Sequence, residues 1–261
     1  MPEGDTGSAT VSRGATAPEP ARVLVGMIDS GWDRTIADAR VLPGVGLISR
    51  TKPLEAEFSA DDHDALGHGT RCTGILLDEN PNCHIIPVRV FGNCLETSPQ
   101  ILAKAIDWSC DTGIRLLNLS LGTTRRDAAP LLYAACDRAS SRGVVIVAAA
   151  GRGDALVFPA TFEPVISVGW GSGDPTFIQY HPGSMIECEV WSGARAVRGL
   201  AGAPGIGWGT SLAAPVVTAL VASWMAESPI DLDGVRERLA RLPARIPLST
   251  DSTDSLHKLS L

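Results

Sequence analysis

The stretch VLVGMIDSG (23–31) is an apolar run that stops abruptly at an acid, a serine and a glycine. A short, unbroken apolar run of this kind reads as a strand buried on both faces. The same reading applies to HIIPVRV (84–90), IRLLNLSL (114–121), VVIVAAA (144–150) and PVISVGW (164–170). Helical segments lie between and after these runs. One begins near His68 and continues through GTRCTGILL (69–77). A second has Ser98 as its cap and Pro99 at its first position, extends to about Asp111 and is stopped by Gly113. A third is expected to be capped by Asp127, to run through Ser141 and to end at Gly143. A long apolar helix starts at Ser211 with SLAAPVVTALVASWMAE (211–227), and a last one is expected near 231–241. Residues 33–60 look irregular apart from a strand near Val45–Ser49, and 172–207 read as Gly-rich loops with short antiparallel strands. Buried strands that alternate with helices indicate a three-layer α/β domain, with a mostly parallel central sheet and helices on both faces.

The chain has 261 residues, of which 44% are hydrophobic and 20% charged, which is ordinary globular usage. Its length allows one sizeable core without help from metals or disulfides. No linker and no internal repeat divides it. One domain is expected over 22–245, between a disordered N-terminal tail (1–21) and a C-terminal tail (246–261). The N-terminal 21 residues carry too little apolar surface to offset the entropy of ordering them. The net charge is −7 and no basic patch is visible, so nucleic acid is not an expected partner. No apolar run reads as a membrane span. The first residues hold no apolar stretch of the secretory kind, which makes a cytoplasmic location the expectation. Cys72, Cys83, Cys94, Cys110, Cys136 and Cys188 are spaced too widely for a zinc motif and are expected to be free thiols, mostly buried.

Three polar residues sit where such sheets place their chemistry. Asp29 ends the first strand, His68 starts a helix within LGHGT, and Ser211 starts another within WGTSLAAP. Ligands collect at the carboxyl ends of parallel strands and at helix N-termini. Each residue alone has a plainer reading, as a turn acid, a turn histidine or an N-cap serine. Together, beside glycine-flanked breaks and in the order Asp, His, Ser, they match one of the convergent arrangements of the acyl-transfer triad.

IDSG (28–31), DALGHGTRCTGIL (64–76), LNLSLG (117–122), VAAAG (147–151), FPA (158–160), VISVG (165–169) and GTSLAAP (209–215) together resemble the subtilisin-like serine peptidases. The resemblance implies that Ser211 is the nucleophile, His68 the general base and then acid, and Asp29 the group that orients the imidazole. It also implies that substrate lies as an extended strand against two backbone edges, Ser120, Leu121 and Gly122 on one side and Ala149, Ala150 and Gly151 on the other. Gly209 lets the backbone approach closely, and the N–H of Ser211 faces the developing oxyanion.

The sequence departs from that family in four places. Where the family has an asparagine that donates to the oxyanion, this chain has Arg152. Losing such a donor costs about 10²–10³ in turnover. Arg152 could donate in its place, point to solvent and leave a slow enzyme, or mark a site turned over to binding; the intact triad motifs favour the first two. Val157 stands where the family often has a glycine at the S1 pocket, and implies a small or medium apolar side chain before the scissile bond. The segment ILLDENPNCHIIPV (75–88) offers Asp78, Glu79 and Asn80 as its obvious oxygens, too few for the 6–8 ligands of calcium. No metal is therefore expected there, nor at Asp61, Asp62 and Asp64, and no cofactor. Last, the triad acid stands close to the start of the sequence, without the signal and prosegment of secreted relatives. This suggests the intracellular branch.

The expected function is a serine endopeptidase with an Asp–His–Ser triad, acting on a peptide or protein substrate and selective, as in leader removal from a precursor. Two alternatives stay open. The acyl-enzyme could pass to an amine, giving ligation or cyclisation. An impaired domain could simply bind an extended peptide or a partner. The sequence leaves the oligomeric state undetermined.

Overall fold

The computed structural model describes residues 22–49, 56–151, 153, 155–171, 177–191, 194–241 and 245–247. Strand β1 (Val23–Asp29) is buried along almost its whole length, as its unbroken apolar run requires. The chain continues through β2 (Val45–Ser49), β3 (Ala56–Ser59), helix α1 (His68–Glu79) and β4 (Cys83–Arg89). Then come α2 (Pro99–Asp111), β5 (Leu116–Leu119), α3 (Ala129–Ser141), β6 (Val145–Ala149) and β7 (Ile166–Gly171). Short strands β8 (Phe177–Tyr180), β9 (Cys188–Trp191), β10 (Arg195–Arg198) and β11 (Pro204–Gly207) precede α4 (Thr210–Glu227), α5 (Leu232–Arg241) and β12 (Arg245–Pro247).

The main sheet has ten strands in the order β12-β8-β9-β7-β6-β5-β1-β4-β2-β3. Pairing is parallel from β2 across to β9, and antiparallel at the edges where β3 meets β2, β8 meets β9 and β12 meets β8. Strands β10 and β11 form a separate hairpin. One core lies between the sheet and α1, α4 and α5; the other lies between the sheet and α2 and α3. This is the expected three-layer α/β arrangement. Ser98 caps α2 as expected, its hydroxyl accepting from Ile101 N at 3.2 Å. From β1 the chain moves first outward to β4 and then back across to β5. The carboxyl ends of β1, β5 and β6 therefore meet at the place where the direction of winding reverses, which is where such sheets hold their ligands.

Three expectations need correction. Asp127 does not cap α3: it lies in a 3₁₀ turn over Arg126–Ala128 and pairs with Arg125, and the cap position of α3 is Ala128. The expected boundary at 245 falls inside a strand, because β12 pairs with β8 through Pro247. And one helix, α4, is long and apolar enough to span a membrane, with 18 residues and a mean hydropathy of 1.2. Its face is instead spent on packing: it lies against α1 and the sheet, and most of its residues are buried within the domain.

Candidate active site

Asp29 is fully buried at the end of β1, and its carboxylate faces the start of α1. Its Oδ1 accepts the backbone N–H of Ser30 at 2.7 Å. His68, the first residue of α1, places Nδ1 2.7 and 3.0 Å from the two Asp29 oxygens. This geometry puts the Nδ1 proton toward Asp29 and leaves Nε2 for the cleft. The approach depends on Gly69, where a Cβ would lie 2.4 Å from Gly31 O. The buried carboxylate beside it raises the His68 imidazole above its ordinary value of 6.5.

Asp64 fixes the loop that leads into α1. Its Oδ1 accepts from Leu66 N and Gly67 N at 2.9 and 2.7 Å, and its Oδ2 from Thr70 N and Thr70 Oγ1 at 2.9 and 2.7 Å. Asp64 thereby anchors both the turn before His68 and the first turn of α1. Ser30 Oγ accepts from Gly69 N at 2.8 Å. Both residues flanking His68 are thus pinned to side chains.

Ser211 lies in the first turn of α4. Gly209 precedes that turn at φ 114°, ψ 163°, a region that disfavours any side chain, and no side chain caps the helix there. Pro215, four residues on, has no N–H, so the Ser211 carbonyl has no helical donor. That carbonyl accepts instead from Ser120 Oγ at 2.6 Å and from Cys72 Sγ at 3.6 Å. Behind Ser120 stands a relay: Thr218 Oγ1 donates to Asn118 Oδ1 at 2.9 Å, and Asn118 Nδ2 donates to Ser120 Oγ at 2.9 Å. Asn118 and Thr218 are completely buried. The first turn of α4 is held through this chain, and Leu212 N bonds Gly209 O at 3.0 Å. The sequence reading missed both residues. The available signal was a polar side chain inside an apolar strand (LLNL) and another inside an apolar helix, each of which has to find a partner.

His68 borders two cavities. One, of about 150 Å³, is shared with Ser211, Arg71, Ile206, Trp208 and Leu212. The other, of about 420 Å³, is shared with Ser120, Leu121 and Gly122. The second expected edge, Ala149, Ala150 and Gly151, follows β6; Ala150 N bonds Val168 O at 2.8 Å. Val157 sits between the two edges. A Cβ at Gly122 would lie 2.4 Å from Val157 Cγ1, and one at Gly151 2.7 Å from Val157 Cγ2. The valine side chain occupies the space that two glycines leave. Trp208 is 64% exposed at the mouth of the smaller cavity. Arg152 lies outside the described residues.

Cys72 is buried one turn after His68, its Sγ 3.9 Å from His68 Nδ1, and burial pushes its thiol up. Ligand atoms of Asp29, His68 and Cys72 lie within 4.8 Å of one another, a donor set able to hold a borderline-soft cation. The oxygens considered for calcium are committed to other partners. Asp78 and Glu79 pair with Arg198 and Arg195, Asp62 with Arg34, and Asp61 with Arg89. All six cysteines are free; Cys94 is exposed and the others are buried.

A buried Asp–His pair at the end of a parallel sheet, with a serine at a helix start lining the same cavity as the imidazole, fits an α/β serine hydrolase. The chain belongs to the subtilase family, whose model matches residues 21–177, and it is a subtilisin-like serine protease. It is 27% identical over 240 residues to subtilisin DY of Bacillus licheniformis, covering 84% of this chain and 83% of that one. It is 29% identical to alkaline elastase YaB of Bacillus sp. (strain YaB), covering 84% of this chain but 57% of the relative. Among solved structures, a lanthipeptide protease superposes with a TM-score of 0.63 at 22% identity, covering 85% of this chain and 76% of the other. The epidermin leader peptide processing serine protease (EpiP) of Staphylococcus aureus superposes at 0.67 and 18%, covering 86% and 70%. The last two likenesses establish the fold.

Proposed function

We propose that this protein hydrolyses peptide bonds through an acyl-enzyme on Ser211 and that it processes a particular peptide precursor, as in leader removal. In the first step Ser211 Oγ attacks the scissile carbonyl carbon while His68 Nε2 takes its proton. Asp29 holds the Nδ1 proton and stabilises the imidazolium. His68 then gives the proton to the leaving amine as the C–N bond breaks. Water repeats the sequence on the ester and releases the acid. The Ser211 N–H, at the positive end of α4, faces the oxygen that becomes negative.

One observation carries this reading: the His68 ring is bonded to buried Asp29 on one edge and borders the same cavity as Ser211 on another. Selectivity is supported by Val157, which fills the notch between the two backbone edges and leaves room for a small side chain before the scissile bond. Two of the similar structures carry names from peptide maturation, which favours a precursor substrate. The test is incubation with a peptide library read by intact mass. The expected products are two fragments whose masses sum to the substrate plus one water, with cleavage after Ala or Val-sized residues and none by Ser211→Ala. Products lacking that water would place the acyl transfer on an amine instead. Cleavage restricted to sites after Phe or Lys would overturn the role given to Val157.

A further inference from the structure

We infer that Glu96 selects a basic side chain two or four residues before the scissile bond; this rests on the peptidase reading above. The larger cavity beside His68 has a volume of about 420 Å³. That is far more than a small residue fills. Its lining is mixed, with Leu95, Leu102 and Leu121 beside Thr97, Ser98 and Ser120. Glu96 is the one carboxylate among the described residues that line it, and no lysine or arginine is there to neutralise it. Glu96 is exposed and has no partner among the described residues. Next to it, Thr97 Oγ1 is buried without a hydrogen-bond partner, while the neighbouring Ser98 hydroxyl is already used to cap α2. Leucines for an aliphatic stem, an unsatisfied hydroxyl and an unpaired carboxylate suit a long side chain with a cationic tip, a lysine or an arginine.

Strand geometry gives the position. Side chains of an extended peptide alternate in direction. The residue directly before the scissile bond faces the notch that Val157 fills, between Gly122 and Gly151. The second and fourth residues before the bond then share the opposite face, toward the cavity that runs from His68 to Pro99. Since Val157 leaves little to read next to the bond, discrimination moves to this larger space. The substrate class is a peptide with a small residue at the bond and a basic residue upstream of it, in even register.

The experiment measures the affinity of full-length Ser211→Ala protein for a peptide series by fluorescence anisotropy, so the readout does not depend on catalysis. Lysine, alanine or glutamate is placed in turn at the second, third and fourth positions before the bond. The expected result is tighter binding of lysine over glutamate by roughly threefold to tenfold at the second or fourth position, the scale of an exposed ion pair exchanged for a repulsion. The third position stays flat. The preference inverts in Ser211→Ala/Glu96→Lys, and it shrinks at about 1 M salt. A preference kept unchanged in the Glu96→Lys background, or no preference at any position, overturns the assignment. Fluorophosphonate labelling of the wild type reads the peptidase assignment separately, so the two can fail independently.

Discussion

The two helix starts that form the site are held in opposite ways. The start of α1 is pinned through its N–H groups: Asp64 takes those of Leu66, Gly67 and Thr70, and Ser30 takes that of Gly69. The start of α4 is pinned through a carbonyl, that of Ser211, which Pro215 has released from the helix and Ser120 recovers. The difference follows from what each helix has to offer. α1 offers a side chain, the imidazole, and can spend its backbone donors on rigidity. In the proposed mechanism α4 offers the Ser211 N–H as well as its side chain, and its first turn is held through a carbonyl. Pro in GTSLAAP frees the Ser211 carbonyl, by which this turn is tethered to Ser120.

That contrast can be broken from either side, most severely at the side chains themselves. Ser211→Ala is expected to lower kcat by about 10⁶-fold with the fold intact, measured with a peptide ester and circular dichroism. Asp29→Asn is expected to cost about 10⁴ in kcat, because the amide presents a donor where the imidazole needs an acceptor. The pH profile should change with it. His68 has to be neutral to act as base, so kcat/KM rises as pH climbs through its raised value, and the acidic limb lies above 6.5. Asp29→Asn removes the cause and moves that limb down. In stability the sign is the reverse. The Asp29–His68 pair contributes fully below the ordinary histidine value and is lost as pH rises through the raised one, which urea unfolding at several pH values would follow.

The tethers come next. Asp64→Asn leaves buried donors at the start of α1 poorly matched and should destabilise the protein by about 1–3 kcal/mol in denaturant unfolding, with kcat falling and KM little changed. Ser120→Ala strands the Ser211 carbonyl and should cost about 1–2 kcal/mol, with a loss of kcat from the other helix. If Ser120→Ala lowered stability but left kcat untouched, the carbonyl tether would have no part in aiming the nucleophile. The smallest effect is expected at Val157→Gly: roughly tenfold better kcat/KM for an aromatic residue before the bond, relative to alanine.

Much of this was legible in the sequence because it is local. An apolar run ending in an acid gave β1 and Asp29, and Ser98–Pro99 marked the start of α2. What stayed hidden depends on partners far along the chain. Asn118, Ser120 and Thr218 form one relay only after β5 and α4 are packed together, 100 residues apart between Asn118 and Thr218. Asp127 looked like a cap because its local chemistry suits one, yet the turn of Arg126–Ala128 intervenes and Arg125 claims the carboxylate. β12 was missed because three residues carry no period, and only the edge of β8 makes them a strand. α4 is apolar all round and long enough to span a membrane, which the sequence reading passed over; its packing against α1 and the sheet covers it with protein.

The central claim is that Ser211 is made nucleophilic by the Asp29–His68 pair, and fluorophosphonate labelling read by intact mass tests it most directly. The account predicts a single adduct on the wild type, none on Ser211→Ala, and greatly slowed labelling of Asp29→Asn. A folded wild type that takes no adduct, or an adduct that persists in Ser211→Ala, would contradict it.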